Sequence, residues 1–167
     1  DGKVLITGGS RGSEDPNTKP KTPAYESELW NPATGTWTQM ASLTTIRSYH
    51  SIALLLPDAR VLSAGGDFGG TSAEIYSPPY LFNGARPTIT SAPANVTYGQ
   101  SFFVATPNAA SISNVTLIAL SSVTHGFNMG QRINRPAFSQ ASGALNVTAP
   151  SNANTTPPGY YMLFILN

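Results

Sequence analysis

The sequence contains no cysteine, and this absence excludes disulfide bonds and thiolate metal sites within the chain. Charged residues are also scarce, because Asp, Glu, Lys and Arg make up 10% of the 167 residues, against about 25% in an average soluble domain. The net charge is +1 and no cluster of Lys or Arg is present. A phosphate-backbone partner requires such a cluster, so nucleic acid is not an expected partner.

Long apolar runs are missing as well. No stretch approaches the roughly 20 residues of a membrane-spanning helix, and no membrane span is expected. No basic-then-apolar leader opens the chain, which begins inside a strand-like run and ends in an apolar run at residues 160–167. From these two abrupt ends we expect the chain to be a fragment of a larger protein.

The chain contains 15 glycines and 14 prolines, scattered so that no long helix fits between them. Between these breaks lie short runs rich in β-branched and aromatic residues, which predict an all-β fold of sandwich, barrel or propeller type. The predicted strands are residues 4–7, 51–56, 60–64, 88–90, 101–105, 114–120, 144–148 and 160–166.

An internal repeat divides the chain. Residues 1–9 are echoed by residues 58–66, and both copies end in Gly-Gly. Each copy is followed by an acidic–apolar–aromatic strand and a turn, at residues 28–32 and 74–78. This pattern resembles a kelch blade, with a repeat of about 50 residues. Because a propeller needs about 4–8 blades, we predict that residues 1–85 are the last, partial blades of a kelch-type propeller.

The repeat signal ends at Arg86-Pro87, after which alternating strands and polar turns take over. We predict that residues 86–167 form a separate immunoglobulin-like β-sandwich that lacks its last strand.

The sequence has two histidines, His50 after Tyr49 and His125 in a polar, glycine-containing loop. No Gly-x-Ser-x-Gly elbow supports a serine hydrolase. No paired histidines or neighbouring carboxylate flank His125 as a zinc hydrolase would require. Imidazole with phenolate oxygen suits Cu(II), which remains the metal consistent with these residues.

Residues 49–61, the loop with Thr124-His125 and Gln131-Arg132, and residues 157–164 resemble, in the same order, stretches of galactose oxidase and its relatives, the copper radical oxidases. The resemblance implies that His50 and His125 are equatorial copper ligands. It also implies that Tyr49 is the axial copper ligand and the catalytic acceptor of the substrate proton.

The same resemblance implies a secreted enzyme that oxidises a primary alcohol or an aldehyde with O₂ and releases hydrogen peroxide. In this family a cross-linked Tyr–Cys pair forms the radical cofactor. The chain has no cysteine, so the cofactor would come from an upstream segment with the remaining blades, unless the protein is a non-catalytic relative. Galactose, glyoxal-like aldehydes and other alcohols or carbohydrates remain open as substrates.

Two alternatives remain: a non-catalytic secreted kelch-plus-sandwich module that binds glycan or cell-wall material, and a purely structural fragment.

Secretion is favoured by four glycosylation sequons, at Asn95, Asn114, Asn146 and Asn154.

Three further expectations concern local structure. Trp30, Trp37 and Tyr76 are expected to pack between blades, and Asp58 and Asp67 to serve structural roles in turns. Adjacent residues of a strand face opposite ways, so Tyr49 and His50 can share one metal only if the chain bends where the strand begins.

Overall fold

The structure is a computed structural model that describes residues 2–12, 15, 18–19, 21–68, 70–124 and 127–167. Fourteen strands and two short 3-10 helices account for the regular structure of these residues. None of the helices in this part of the chain is long and apolar enough to cross a membrane. The all-β fold predicted from the sequence is confirmed.

The strands follow one another at short intervals along the chain. They are β1 (Val4–Ile6), β2 (Glu26–Asn31), β3 (Thr36–Ser42), β4 (Ser51–Leu55), β5 (Val61–Gly65), β6 (Ala73–Tyr76), β7 (Ser101–Ala105), β8 (Asn114–Ala119), β9 (Val123–Thr124), β10 (Phe127–Asn128), β11 (Ile133–Asn134), β12 (Phe138–Ala141), β13 (Ala144–Thr148) and β14 (Tyr161–Leu166). The chain groups into two compact units. The first is Asp1–Tyr80 with Ser121–Met129, and the second is Leu81–Leu120 with Gly130–Asn167.

The first unit contains two antiparallel sheets of three strands, in the orders β1-β2-β3 and β4-β5-β6. The repeated sequence forms β1 in one sheet and β5 in the other, and the aromatic strand that follows each copy forms β2 and β6. In the first sheet Trp30 pairs with Trp37 across β2 and β3, and their ring centroids lie 6.2 Å apart. The short β9–β10 hairpin also belongs to this unit, although it comes from the second half of the chain.

The second unit contains two more antiparallel sheets of three strands, in the orders β11-β8-β14 and β12-β13-β7. One apolar cluster joins the two sheets, which makes this unit a β-sandwich. Its buried members are Val104, Ala109, Ile112, Val115, Leu145, Val147 and Ile165. These residues lie on β7 and β13 of one sheet and on β8 and β14 of the other, with two members in the connection before β8.

Strands β7 and β13 bury alternate residues, as a sheet with one face on a core requires, whereas β8 buries three in a row at residues 115–117. In β7, Val104 is fully buried while its neighbour Phe103 is 65% exposed. At the start of β14 the hydroxyl of Tyr161 donates to the Pro157 carbonyl at 2.8 Å. This bond resembles the tyrosine corner of immunoglobulin-like domains, in which a strand-initial Tyr fixes the preceding loop.

The strand predicted at residues 88–90 is wrong. In the structure this segment makes only isolated contacts with the end of β7, including the Thr90 amide donating to the Ala105 carbonyl at 2.9 Å. Pro87 and Pro93 flank the segment and cannot donate backbone hydrogen bonds, so no continuous ladder forms here.

Candidate functional site

A tight turn at residues 48–51 carries the Tyr49–His50 pair. The Ser51 amide donates to the Ser48 carbonyl at 3.0 Å, which closes a four-residue turn just before β4. His50, the third residue of the turn, has a left-handed φ of 63°. A positive φ at this position is typical of a type II turn, where glycine or asparagine is the usual residue.

The turn brings two neighbouring side chains together. The ring centroids of Tyr49 and His50 lie 3.9 Å apart, with 35° between the ring planes. In a regular strand these side chains would face opposite sides. The left-handed backbone at His50 is therefore the bend that a shared ligand role requires.

Two Gly-Gly pairs lie against this segment. At Gly65, at the end of β5, an added Cβ would lie 3.1 Å from the His50 carbonyl oxygen, and at Gly66 it would lie 3.5 Å from the Ser48 amide nitrogen. At Gly8, after β1, an added Cβ would overlap the Arg47 carbonyl oxygen and lie 2.9 Å from the Arg47 Cβ. Both copies of the repeated sequence thus end where the backbone passes close to residues 47–50.

Arg47, the residue before the turn, is buried and hydrogen-bonded to the surrounding strands. Its side chain is 1% exposed, and its guanidinium donates to the Gly65 carbonyl at 2.9 Å and to the Ser72 hydroxyl at 3.1 Å. The Gly9 amide donates to the Arg47 carbonyl at 2.6 Å. Arg47 therefore bonds to the segment after β1 through its carbonyl and to the end of β5 through its side chain.

Glu74 on β6 balances the buried guanidinium charge, with Oε1 lying 3.7 Å from an Arg47 nitrogen. The Glu74 carboxylate also accepts hydrogen bonds from the Thr44 and Thr45 amides at 2.8 and 3.1 Å. Burial acts to raise the pKa of Glu74, but these hydrogen bonds and the charge of Arg47 outweigh it and leave the pKa below its ordinary value.

Asp67 lies against the imidazole of His50, with Asp67 Oδ1 2.8 Å from His50 Nδ1. The Asp67 amide also donates to the Tyr49 carbonyl at 3.1 Å. Both side chains are partly open to solvent, 47% exposed for His50 and 38% for Asp67. Asp67 therefore contacts both residues of the pair, Tyr49 through its backbone and His50 through its carboxylate.

Tyr49 lines a shallow depression of about 210 Å³. Its side chain is 45% exposed, so small molecules can reach it. The surface of the depression is mainly apolar, although several of the residues that line it are polar. The lining residues are Gly9, Ser10, Asp15, Thr18, Ser48, Tyr49 and Phe68.

The second predicted histidine ligand, His125, lies outside the described residues, as does Gly126. The strands on either side of them are described, and β9 pairs with β10 with Thr124 opposite Phe127. Asn128 stabilises the base of this hairpin, because its side-chain oxygen accepts from the Ser122 amide at 3.0 Å. β9 lies beside β4, the strand that begins directly after His50.

Among the described residues, no group of three His, Cys, Asp or Glu side chains is placed to hold a metal ion. What these residues contribute is one imidazole and one phenol with adjacent rings. This pair can form part of a nitrogen-and-oxygen ligand set of the kind that suits Cu(II).

Reasoning from the sequence missed the contact of Asp67 with His50. The signal was available in the β4–β5 hairpin, whose register pairs Ser51 with Gly65 and Ile52 with Ala64. Extending this register by two residues places Asp67 opposite Tyr49. Asp58, by contrast, has the expected structural role, since its carboxylate accepts from the Arg60 side chain at 2.7 Å within the hairpin turn.

Comparison with known proteins identifies relatives of the whole chain. Residues 86–167 match the family model "Galactose oxidase-like, Early set domain". The chain is 34% identical to a galactose oxidase from Gibberella zeae, in an alignment that covers 100% of this chain and 26% of that protein. It is 33% identical to the aldehyde oxidase GLOX from Vitis pseudoreticulata, over 99% of this chain and 37% of that protein.

A WSC domain-containing protein from Arthroderma benhamiae is 36% identical over 100% of this chain and 19% of its own length. Among solved structures, a fungal alcohol oxidase of the AA5 family in complex with copper matches with a TM-score of 0.86 and 31% identity, over 99% of this chain and 37% of that chain. The chain thus spans well under half the length of each of these relatives.

Proposed function

Because the chain belongs to the galactose oxidase-like family, we propose that it is the C-terminal portion of a secreted copper radical oxidase, in which residues 1–85 form the last blades of a kelch-type propeller. The full-length enzyme would oxidise a primary alcohol or an aldehyde with O₂ and release hydrogen peroxide. The observation that carries the proposal is the Tyr49–His50 turn, in which a strained backbone brings a phenol and an imidazole together. Strained backbone of this kind occurs preferentially at functional sites.

In this proposal Tyr49, His50 and His125 hold the metal. The pairing of Asp67 with His50 Nδ1 supports the assignment, since metal-binding histidines commonly donate their other ring N–H to a carboxylate. The position of β9 beside β4 supports His125, because β9 ends at Thr124, the residue before His125, and β4 begins directly after His50. Copper, when bound, would accept one of the two substrate electrons, and the second would go to a Tyr–Cys radical cofactor supplied from outside this chain.

Tyr49 would act as the proton acceptor for the substrate hydroxyl. Its position on the wall of a solvent-accessible depression allows a small substrate to approach the phenol oxygen. Ser10, Asp15 and Thr18 line the same depression and would be the polar residues nearest to a substrate bound there.

Secretion is part of the same proposal. The side chains of Asn95, Asn114 and Asn154 are exposed, so these three sequons are accessible to a glycosyltransferase. Asn146 is half-buried on the central strand β13, and its side-chain oxygen is buried. We therefore expect no glycan at Asn146.

The test uses the full-length protein and measures both copper content and hydrogen peroxide production on galactose, glyoxal-like aldehydes and simple primary alcohols. His50→Ala and His125→Ala are expected to weaken Cu²⁺ binding by at least about 100-fold, because each removes a direct ligand. Tyr49→Phe is expected to abolish peroxide production. Tyr80→Phe is the matched control, since it removes a phenol hydroxyl that bonds the Ala59 carbonyl, away from the pair.

Unchanged copper binding and oxidase activity in both histidine variants would refute the proposal. Glycan binding that persists without either histidine, in a protein that takes up no copper, would identify a binding module instead.

A further inference from the structure

Asp67 occupies a defined position relative to His50. Its backbone amide is bonded to the Tyr49 carbonyl, which fixes where the side chain begins, and its carboxylate reaches His50 Nδ1 at 2.8 Å. Gly66, which precedes it, has a left-handed φ of 92° and packs against the turn.

The contact decides which tautomer His50 adopts. An ionised carboxylate only accepts hydrogen bonds, so Nδ1 must be the protonated nitrogen and its N–H donates a hydrogen bond to Asp67. In a neutral imidazole the lone pair then lies on Nε2, the nitrogen that a metal would bind. The carboxylate also hinders rotation of the ring, which would otherwise turn Nε2 away from its direction in the structure.

Stabilising the fold is a poor explanation for this contact. With 47% and 38% of the two side chains exposed, the pair lies in the range where ion pairs contribute little to stability. A less exposed ion pair lies close by, between the buried Arg47 and the partly buried Glu74. What the Asp67–His50 contact does set is the direction and protonation of one ring nitrogen.

We propose that Asp67 is a positioning residue for His50. Its carboxylate holds the imidazole with Nδ1 protonated, so that Nε2 is the nitrogen that would bind the metal. This inference rests on the proposed function, because it assigns Asp67 a role towards the same copper site. Carboxylates that bond the second nitrogen of a metal-binding histidine typically raise metal affinity about 10–100-fold.

The experiment uses the full-length protein with Asp67→Ala and Asp67→Asn. Cu²⁺ affinity is measured by titration, and pulsed electron paramagnetic resonance measures the quadrupole coupling of the remote imidazole nitrogen of His50. This coupling responds to the hydrogen bond at Nδ1 and would not respond to a general loss of stability. We expect Asp67→Ala to weaken Cu²⁺ binding about 10–100-fold and to shift the coupling.

Asp67→Asn keeps an acceptor oxygen without the charge, so it should bind copper more tightly than Asp67→Ala and show a smaller shift in the coupling. Asp58→Asn is the matched control, because Asp58 is an acidic residue of the β4–β5 hairpin whose carboxylate bonds Arg60 instead of a histidine. It should match wild type in both measurements.

The outcomes separate the two proposals. If His50→Ala loses copper while Asp67→Ala keeps wild-type affinity and an unchanged coupling, Asp67 is not a positioning residue and the copper site stands. If the wild-type protein binds no copper through His50, both the proposed function and the role of Asp67 are wrong.

Discussion

Replacing Gly8 with alanine tests whether close backbone contact holds the Tyr49–His50 turn in place. Gly8 has a left-handed φ of 74°, and a Cβ there would overlap the Arg47 carbonyl oxygen. Gly9 has a similar φ of 93°, but a Cβ at Gly9 would meet no atom within 4 Å. The two adjacent glycines therefore separate the cost of the backbone conformation from the cost of the collision.

The expected magnitudes follow from these two costs. A left-handed alanine costs about 1–2 kcal/mol in the folded state, and the reduced freedom of the unfolded chain offsets about 0.4–1 kcal/mol of that. Gly9→Ala should therefore lower the free energy of unfolding by about 1 kcal/mol. Gly8→Ala adds a collision with backbone that cannot rotate away, worth about 1–3 kcal/mol more.

Thermal unfolding of the full-length protein, followed by circular dichroism, measures the difference. On the scale of about 2–4 °C per kcal/mol that holds for a unit of 150–250 residues, Gly8→Ala should lower the midpoint of the transition that unfolds this part of the protein by about 4–16 °C and Gly9→Ala by about 2–4 °C. Gly8→Ala should also retain less copper, because Arg47 moves with its carbonyl and displaces the turn. Equal losses of stability in the two variants would refute the steric reasoning.

Two other predictions concern the same unit. Glu74 has a pKa below its ordinary value of 4.5 in the folded protein, so its contribution to stability is present above that value and is lost as the pH falls through the lower, folded pKa. The unfolding midpoint of Glu74→Gln should therefore fall less than that of wild type between about pH 5 and pH 3, and parallel curves would contradict this. Ala59, with a φ of 67° in the β4–β5 turn, should gain about 0.5–1 kcal/mol on replacement by glycine, since the relief of strain exceeds the added freedom of the unfolded chain. Chemical denaturation checks this gain, and a lower midpoint for Ala59→Gly would show that the backbone at residue 59 is not strained.

The strands with strong local patterns were predicted well from the sequence. β7 and β13 have the predicted bounds, residues 101–105 and 144–148, because each alternates buried and exposed side chains between turn residues. β4, β5, β8 and β14 differ from their predicted bounds by one residue. β9 and β11 have two residues each and depend on tertiary contacts, so no local pattern predicted them.

The candidate site was only partly predictable. A resemblance led to Tyr49 and His50, and the required bend was expected, but the left-handed backbone of His50 has no signal in the sequence, where glycine or asparagine would be the usual indication. The closest contacts of the pair are likewise long-range, because Asp67 reaches His50 only through the register of a hairpin. The buried Arg47 was not predicted, since a charged residue is seldom expected in an interior.

The left-handed conformation of His50 also bears on how this segment tolerates change. Backbone preference alone would place glycine at residue 50, whereas the proposed role of His50 as a metal ligand requires the imidazole, so the two demands on this position would conflict. A relative that lost its redox chemistry would be free to resolve the conflict in favour of the backbone. Glycine or asparagine at this position in a homologue would therefore mark a chain that has become a binding or structural module, while histidine would mark one in which the local strain is still maintained by selection for the ligand.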